Sequence, residues 1–323
     1  MTDKNAALHN ATLLEDTDLC TLDTCPLSMA NMDYVPSLGG NLVFIAVFGL
    51  VLIGQLGIGI RYKTWSYMIA MTGGLLLEIV GYVARVQMHD NPFKSDPFLM
   101  YLVCLTIAPA FLSAAVYLCL SRIVVAYGEQ VSRFRARTYT TVFISCDFLA
   151  LLLQAAGGGI ASSADTKELS DIGVDIMVAG VSWQVVSLAL FVALCTDFAL
   201  RVRKAPQYRL NGQFDHLRRN KSFHYWLIAL GVATFTIIIR SVFRCAELSG
   251  GFNGPLANDE ITFMVLEGAM ISIAVISITV FHPGWVWQGQ WNDAQWHVRG
   301  KGGDDDAYSK ISLDNRLIAD DRS

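Results

Sequence analysis

The sequence predicts an all-α, polytopic membrane protein: a bundle of seven transmembrane helices with its N-terminus outside. Three observations lead there. The 323 residues are 53% hydrophobic and 16% charged, whereas a soluble domain usually carries about 25% charged residues. Seven largely apolar runs recur along the chain, each near the roughly 20 residues needed to cross about 30 Å of hydrocarbon. Lys and Arg alternate between rich and poor loops. At membrane depth only helices and closed barrels satisfy the backbone, and runs of this length are helices.

Residues 1–37 are polar and acidic with no apolar core, so no signal peptide is read there. "NAT" at Asn10 is an N-glycosylation acceptor. Cys20 and Cys25, in "CTLDTC", suit a small disulfide loop in an oxidising compartment, with two free thiols as the alternative. The spans follow at 39–60, 65–86, 97–120, 139–161, 176–200, 223–243 and 261–281, and the first and third carry no charge. Pro109 is expected to kink the third and free a carbonyl. The glycines of "QLGIGI" and "QAAGGG" allow close helix approach. After residue 281, "FHPGWVWQGQWNDAQWH" gathers Trp285, Trp287, Trp291 and Trp296, which is expected to lie along the headgroup interface. The stretch from Gly300 reads as unstructured. The expected organisation is an exoplasmic segment over 1–37, a transmembrane domain over 38–284 and a cytosolic tail over 285–323.

Orientation follows from the basic residues of the loops. Loops 61–64, 121–138 and 201–222 hold two, four and seven Lys or Arg, against one each in the N-terminal segment and in loops 87–96, 162–175 and 244–260. The rich set is read as cytosolic. The net charge of −4 says little about partners, because the charges are segregated by side.

Ionisable groups inside spans are costly and face an interior or a cavity. Here they fall on helical faces at i, i+4 and i+7. Glu78, Tyr82 and Arg85 share one stripe of the second span, Asp147 and Gln154 one face of the fourth, and Arg240, Arg244 and Glu247 one face of the sixth. The seventh brings Glu260 and Glu267, and the fifth Gln184. Depth along helices rising about 1.5 Å per residue places Glu78, Asp147 and Glu267 nearer the middle and Arg85, Gln154, Arg240, Arg244, Glu247 and Glu260 in the outer half. The pattern predicts a polar cavity open to the exoplasmic side, with Arg240 paired to Glu78 or Glu267 and Arg244 at the mouth beside Glu247. A buried Arg–Glu network that only fixes helix packing is the competing reading.

Other chemistry is not encoded. The chain has no P-loop pattern, no lysine in the seventh span for a retinal Schiff base, and no histidine cluster for a membrane metal amidase. No catalytic residues, metal or cofactor are read from it, and no nucleic-acid partner.

The order of motifs resembles the fungal lipid-translocating exporter family, the RTA-like seven-helix membrane proteins. The residues that carry the resemblance are "YVPSLGGN", "EIVGYVAR", "APAFLSAAVYLCLSRIV", "DFLALLLQAAGGG", "GVSWQ", "RSVFRCAELSGGFNGPLANDE" and "FHPG", over residues 34–284. The family usually has an aspartate in the seventh helix where this chain has Glu267, and often a histidine in the first where it has Gln55. The resemblance implies a plasma-membrane transporter of amphipathic lipids such as sphingoid long-chain bases, serving lipid homeostasis or resistance to toxic lipophiles without ATP hydrolysis. It is not an enzyme, and its partners are membrane lipids and an amphipathic small molecule. A seven-helix lipid sensor signalling through the basic loop 201–222 is the alternative.

Overall fold

The computed structural model describes residues 19–294, apart from 31, 33, 165, 251–253, 255 and 257. Asn10, Trp296 and the acidic tail lie outside the described residues. Seven helices are long and apolar enough to cross a membrane: α1 Leu38–Tyr62, α2 Trp65–Asp90, α3 Ser95–Tyr127, α4 Ala136–Ser162, α5 Lys167–Lys204, α6 Lys221–Ser249, and the composite α7. α7 runs as Glu260–Phe263, a π-helical turn Met264–Ala269, and Met270–Val280. No strand occurs among the described residues.

Neighbours in sequence pack as neighbours in space, and α7 closes the ring against α1 and α6. α3 also touches α6 across the bundle, and its hydrophobic stretch is the most buried of the seven at 67%, against 17% for α1. The spacing of small residues explains this. Ala108, Ala110, Ser113 and Ala115 of α3 are all buried, so neighbouring backbones can approach, and the built Cβ of Gly81 on α2 would collide with Leu105. α4 and α5 cross at Gly157 and Gly173. A Cβ at Gly157 would stand 2.6 Å from the Gly173 carbonyl, and one at Gly173 2.5 Å from the Ala161 nitrogen.

Four sequence expectations need correction or refinement. α5 begins at Lys167 and not near 176, because Thr166 caps its first turn and Glu168 sits well at a helix N-terminus; most of loop 162–175 is therefore helix. α6 continues to Ser249, so Arg244 and Glu247 lie on helix. The Trp-rich segment packs onto the basic end of the bundle. It folds back under the bundle, with Trp287 and Trp291 0% and 1% exposed. Trp287 packs edge-on against Phe214, Phe223 and Trp226, and Trp291 against Tyr67. Arg122 donates to the Trp291 carbonyl at 3.1 Å. Loop 201–222 is likewise docked: Phe214 and Leu217 are buried, and Arg218 donates to the carbonyls of Ala126 and Asn211.

The opposite end is capped by the N-terminal segment. A Cys20–Cys25 disulfide forms a small knot packed with Phe93, and Asn91 Nδ2 donates to the Cys20 carbonyl. The Ser37 amide donates to Glu260 Oε1 at 2.5 Å.

Candidate functional site: a buried charged column

The polar residues of the spans fall into separate groups. The largest is a column shared by α2, α3, α6 and α7, leading from the capped end towards the middle. Arg85, Glu78, Arg240, Arg244, Glu247 and Glu267 are each at most 4% exposed.

At the top, Arg85 donates through Nε to Asn41 Oδ1 at 3.2 Å and through Nη2 to Tyr34 Oη at 2.9 Å. Its guanidinium carbon lies 3.9 Å from the Phe263 ring centre and 5.2 Å from that of Tyr101, within cation–π range. Burial pushes the Tyr34 phenol above its ordinary range, against the pull of Arg85, so Tyr34 meets the guanidinium as a neutral acceptor. Below, Arg244 Nη1 donates to Glu247 Oε2 at 2.8 Å and Nη2 to Thr106 Oγ1 at 3.2 Å. Deeper still, Arg240 Nη2 donates both to Glu267 Oε1 at 2.5 Å and to the Leu105 carbonyl.

That carbonyl is the one Pro109 frees. A proline has no N–H for the carbonyl four residues earlier, and Arg240 supplies the missing donor. Glu267 is placed by the π-helical turn, a feature that shifts side-chain register and recurs at functional sites. The turn's Gly268 lets α1 and α2 close in, since a Cβ there would stand 2.5 Å from Phe44 and 2.7 Å from Tyr82 Oη.

Glu78 is the remaining carboxylate. Its Oε1 has no hydrogen-bond partner among the described residues, and neither does Tyr82 Oη one turn along. The column therefore holds Arg85, Arg240 and Arg244 against Glu78, Glu247 and Glu267. Its ion pairs among the described residues are Arg240–Glu267 and Arg244–Glu247. Arg85 and Glu78 are left over, seven residues or about 10 Å apart on one face of α2. Arg85 is compensated by neutral oxygens and ring faces; Glu78 has no direct contact of that kind, and Arg240, Arg244 and Glu267 are the charges that act on it.

The structure departs from the predicted cavity in two respects. The column is closed above by Tyr34 and the cap, and Arg244 sits buried at 1% exposure instead of at a mouth. Asp147, Gln154 and Gln184 do not join it. Tyr117 donates to Asp147 Oδ2 at 3.0 Å, and Gln154 Nε2 to Gln184 Oε1 at 3.4 Å. The glycine crossing of α4 and α5 turns the α4 polar face onto α5 and α3, away from α6. Tyr34, Asn41, Thr106 and Tyr101 join the column as neutral groups, which no charge in an apolar run marks out in the sequence. The partner for Arg240 on α3 was foreshadowed only by Pro109. Gln55, at the position where a histidine is common, donates to Thr279 of α7 at 2.7 Å.

Comparison with known proteins gives this architecture a family. The model described as "RTA1 like protein" matches residues 71–290, which include every member of the column except those before α2. The sphingoid long-chain base transporter RSB1 of Saccharomyces cerevisiae is 32% identical over 284 residues, covering 79% of this chain and 74% of its own. Protoporphyrin uptake protein 1 of the same yeast is 27% identical over 208 residues, covering 64% and 65% of the two chains. Protein RTM1, also from Saccharomyces cerevisiae, is 28% identical over 236 residues, covering 71% and 73%. No solved structure matches. With the family model matching from within α2 to beyond α7 and the seven helices in place, this chain is an integral membrane protein that belongs to the RTA1-like family.

Proposed function

We propose that this protein translocates amphipathic lipids bearing a cationic amine, of the sphingoid long-chain base type, across the plasma membrane, with Glu78 as the carboxylate that receives the amine. The observation that carries the reading is that Glu78, alone among the three carboxylates of the column, forms no hydrogen bond or ion pair among the described residues. An isolated buried carboxylate is costly, and an ammonium group with hydroxyls beside it is the complement of Glu78 and Tyr82 Oη. Phe44 and Phe48 of α1, with ring centres 5.0 and 5.6 Å from that of Tyr82, offer an apolar surface for the chain of such a lipid. The similarity to a named sphingoid base transporter supports the substrate class. The loops at the basic end are assigned to the cytosol, which leaves the capped end and Asn10 outside.

The alternative is a lipid sensor signalling through the basic loop 201–222, part of which Phe214, Leu217 and Arg218 tie to the helices. The test is leaflet exchange. In proteoliposomes holding a fluorescent sphingoid base, the protein should accelerate loss of the label from one leaflet, and should not accelerate movement of the N-acylated, uncharged analogue. Binding of the base with exchange no faster than in protein-free vesicles would support the sensor.

A further inference from the structure

A second, chemically different site lies outside the column. Between the halves of α3, α5 and α6 nearest the basic end is a groove of about 640 Å³, within the usual size range of small-molecule sites. Leu120, Phe191, Phe198, Leu230 and Phe235 line it, and Arg203 is its single charged wall residue. Its two threonines are already spent on their own helices: Thr196 donates to the Val192 carbonyl and Thr234 to that of Leu230. The interior thus offers little but hydrocarbon. Gly231 lies on the wall, and a Cβ there would meet nothing within 4 Å.

The mouth carries one cation. Arg203, exposed near the end of α5, lines the groove and makes no ion pair among the described residues. Arg201 and Lys204 lie on other faces of α5, where Arg201 and Arg133 share the carboxylate of Asp197 at 2.8 and 2.9 Å. No carboxylate lines the groove. An alkyl chain in it would therefore present its headgroup to a rim whose only charge is Arg203. We infer that the α3–α5–α6 groove binds an alkyl-chain phospholipid with an anionic headgroup, drawn from the leaflet facing the basic end. Basic residues at a membrane surface attract such lipids electrostatically. A sphingoid base, with its ammonium group, is repelled by the same rim, so this site is distinct from the one assigned to Glu78 and does not depend on the transport reading.

The test uses the full chain in phosphatidylcholine nanodiscs doped with phosphatidylserine that carries a photoreactive diazirine in its acyl chain. Irradiation should give adducts on peptides of α3, α5 and α6. Unlabelled phosphatidylserine should displace them, and added phosphatidylcholine or sphingosine should not. Gly231→Leu, which fills the groove where there is space, should cut the adduct yield several-fold. Arg203→Gln, at an exposed position, should erase the preference for the anionic lipid and so tests the rim should the first variant fold poorly. Equal displacement by phosphatidylcholine, displacement by sphingosine, or adducts unchanged in both variants would each overturn the assignment.

Discussion

At the scale of residues, the column is an ion-pair system that leaves Arg85 and Glu78 outside its two pairs. Stranding one partner of a buried pair costs about 3–5 kcal/mol. Arg240→Ala should therefore lower thermal stability in detergent sharply, and adding Glu267→Gln should recover part of the loss, because the stranded charge is then removed. Equal melting of the single and double variants would show that the pair is not coupled. At a cavity mouth, Arg244→Ala would fold and lose ligand affinity. Its burial against Glu247 and Thr106 instead predicts a loss comparable to that of Arg240→Ala, read in the same melting experiment. The charged members were legible because charge inside an apolar run is conspicuous. Their helical spacing placed Glu78, Tyr82 and Arg85 on one face correctly. The wider convergence failed for Asp147, Gln154 and Gln184, because face and depth do not say which neighbour a helix turns that face towards.

At the scale of elements, two backbone irregularities set the column. Pro109 leaves the Leu105 carbonyl to Arg240. Pro109→Ala would restore an N–H that competes for it, so the variant should melt no lower than wild type while transporting more slowly. A variant that transports normally would remove the proline from the account. The π-helical turn of α7 has no local signature that spacing could reveal, although Gly268 within it marks the closest approach of α1. Gly268→Ala should destabilise by about 1–3 kcal/mol, the usual cost of overpacking, measured as a shift in unfolding. The apolar runs themselves were the most legible part. α1 and α2 begin within a residue of their expected starts, since hydrocarbon thickness fixes span length. The packing of Trp287 and Trp291 was not legible for a physical reason: tryptophan suits both the headgroup region and a tightly packed plug, and composition does not separate the two.

At the scale of the whole molecule, both ends of the bundle are covered, by the Cys20–Cys25 cap and Tyr34 at one and by Trp287 and Trp291 at the other. A transporter built this way has to open, and α1, the least buried helix, is the element best placed to move. A disulfide between Gly54→Cys and Thr279→Cys, positions where the built Gly54 Cβ lies 3.6 Å from Thr279 Cγ2, should hold α1 to α7. It should stop exchange until a reductant is added; undiminished exchange in the cross-linked protein would place the path elsewhere. The central claim is that Glu78 receives the amine, and the most direct measurement is the exchange rate of a sphingoid base in proteoliposomes containing wild type, Glu78→Asp or Glu78→Gln, each checked for equal incorporation and melting. The account predicts that Glu78→Gln falls to the rate of protein-free vesicles and Glu78→Asp retains part of the activity. A folded Glu78→Gln protein that moves the base at the wild-type rate would contradict it.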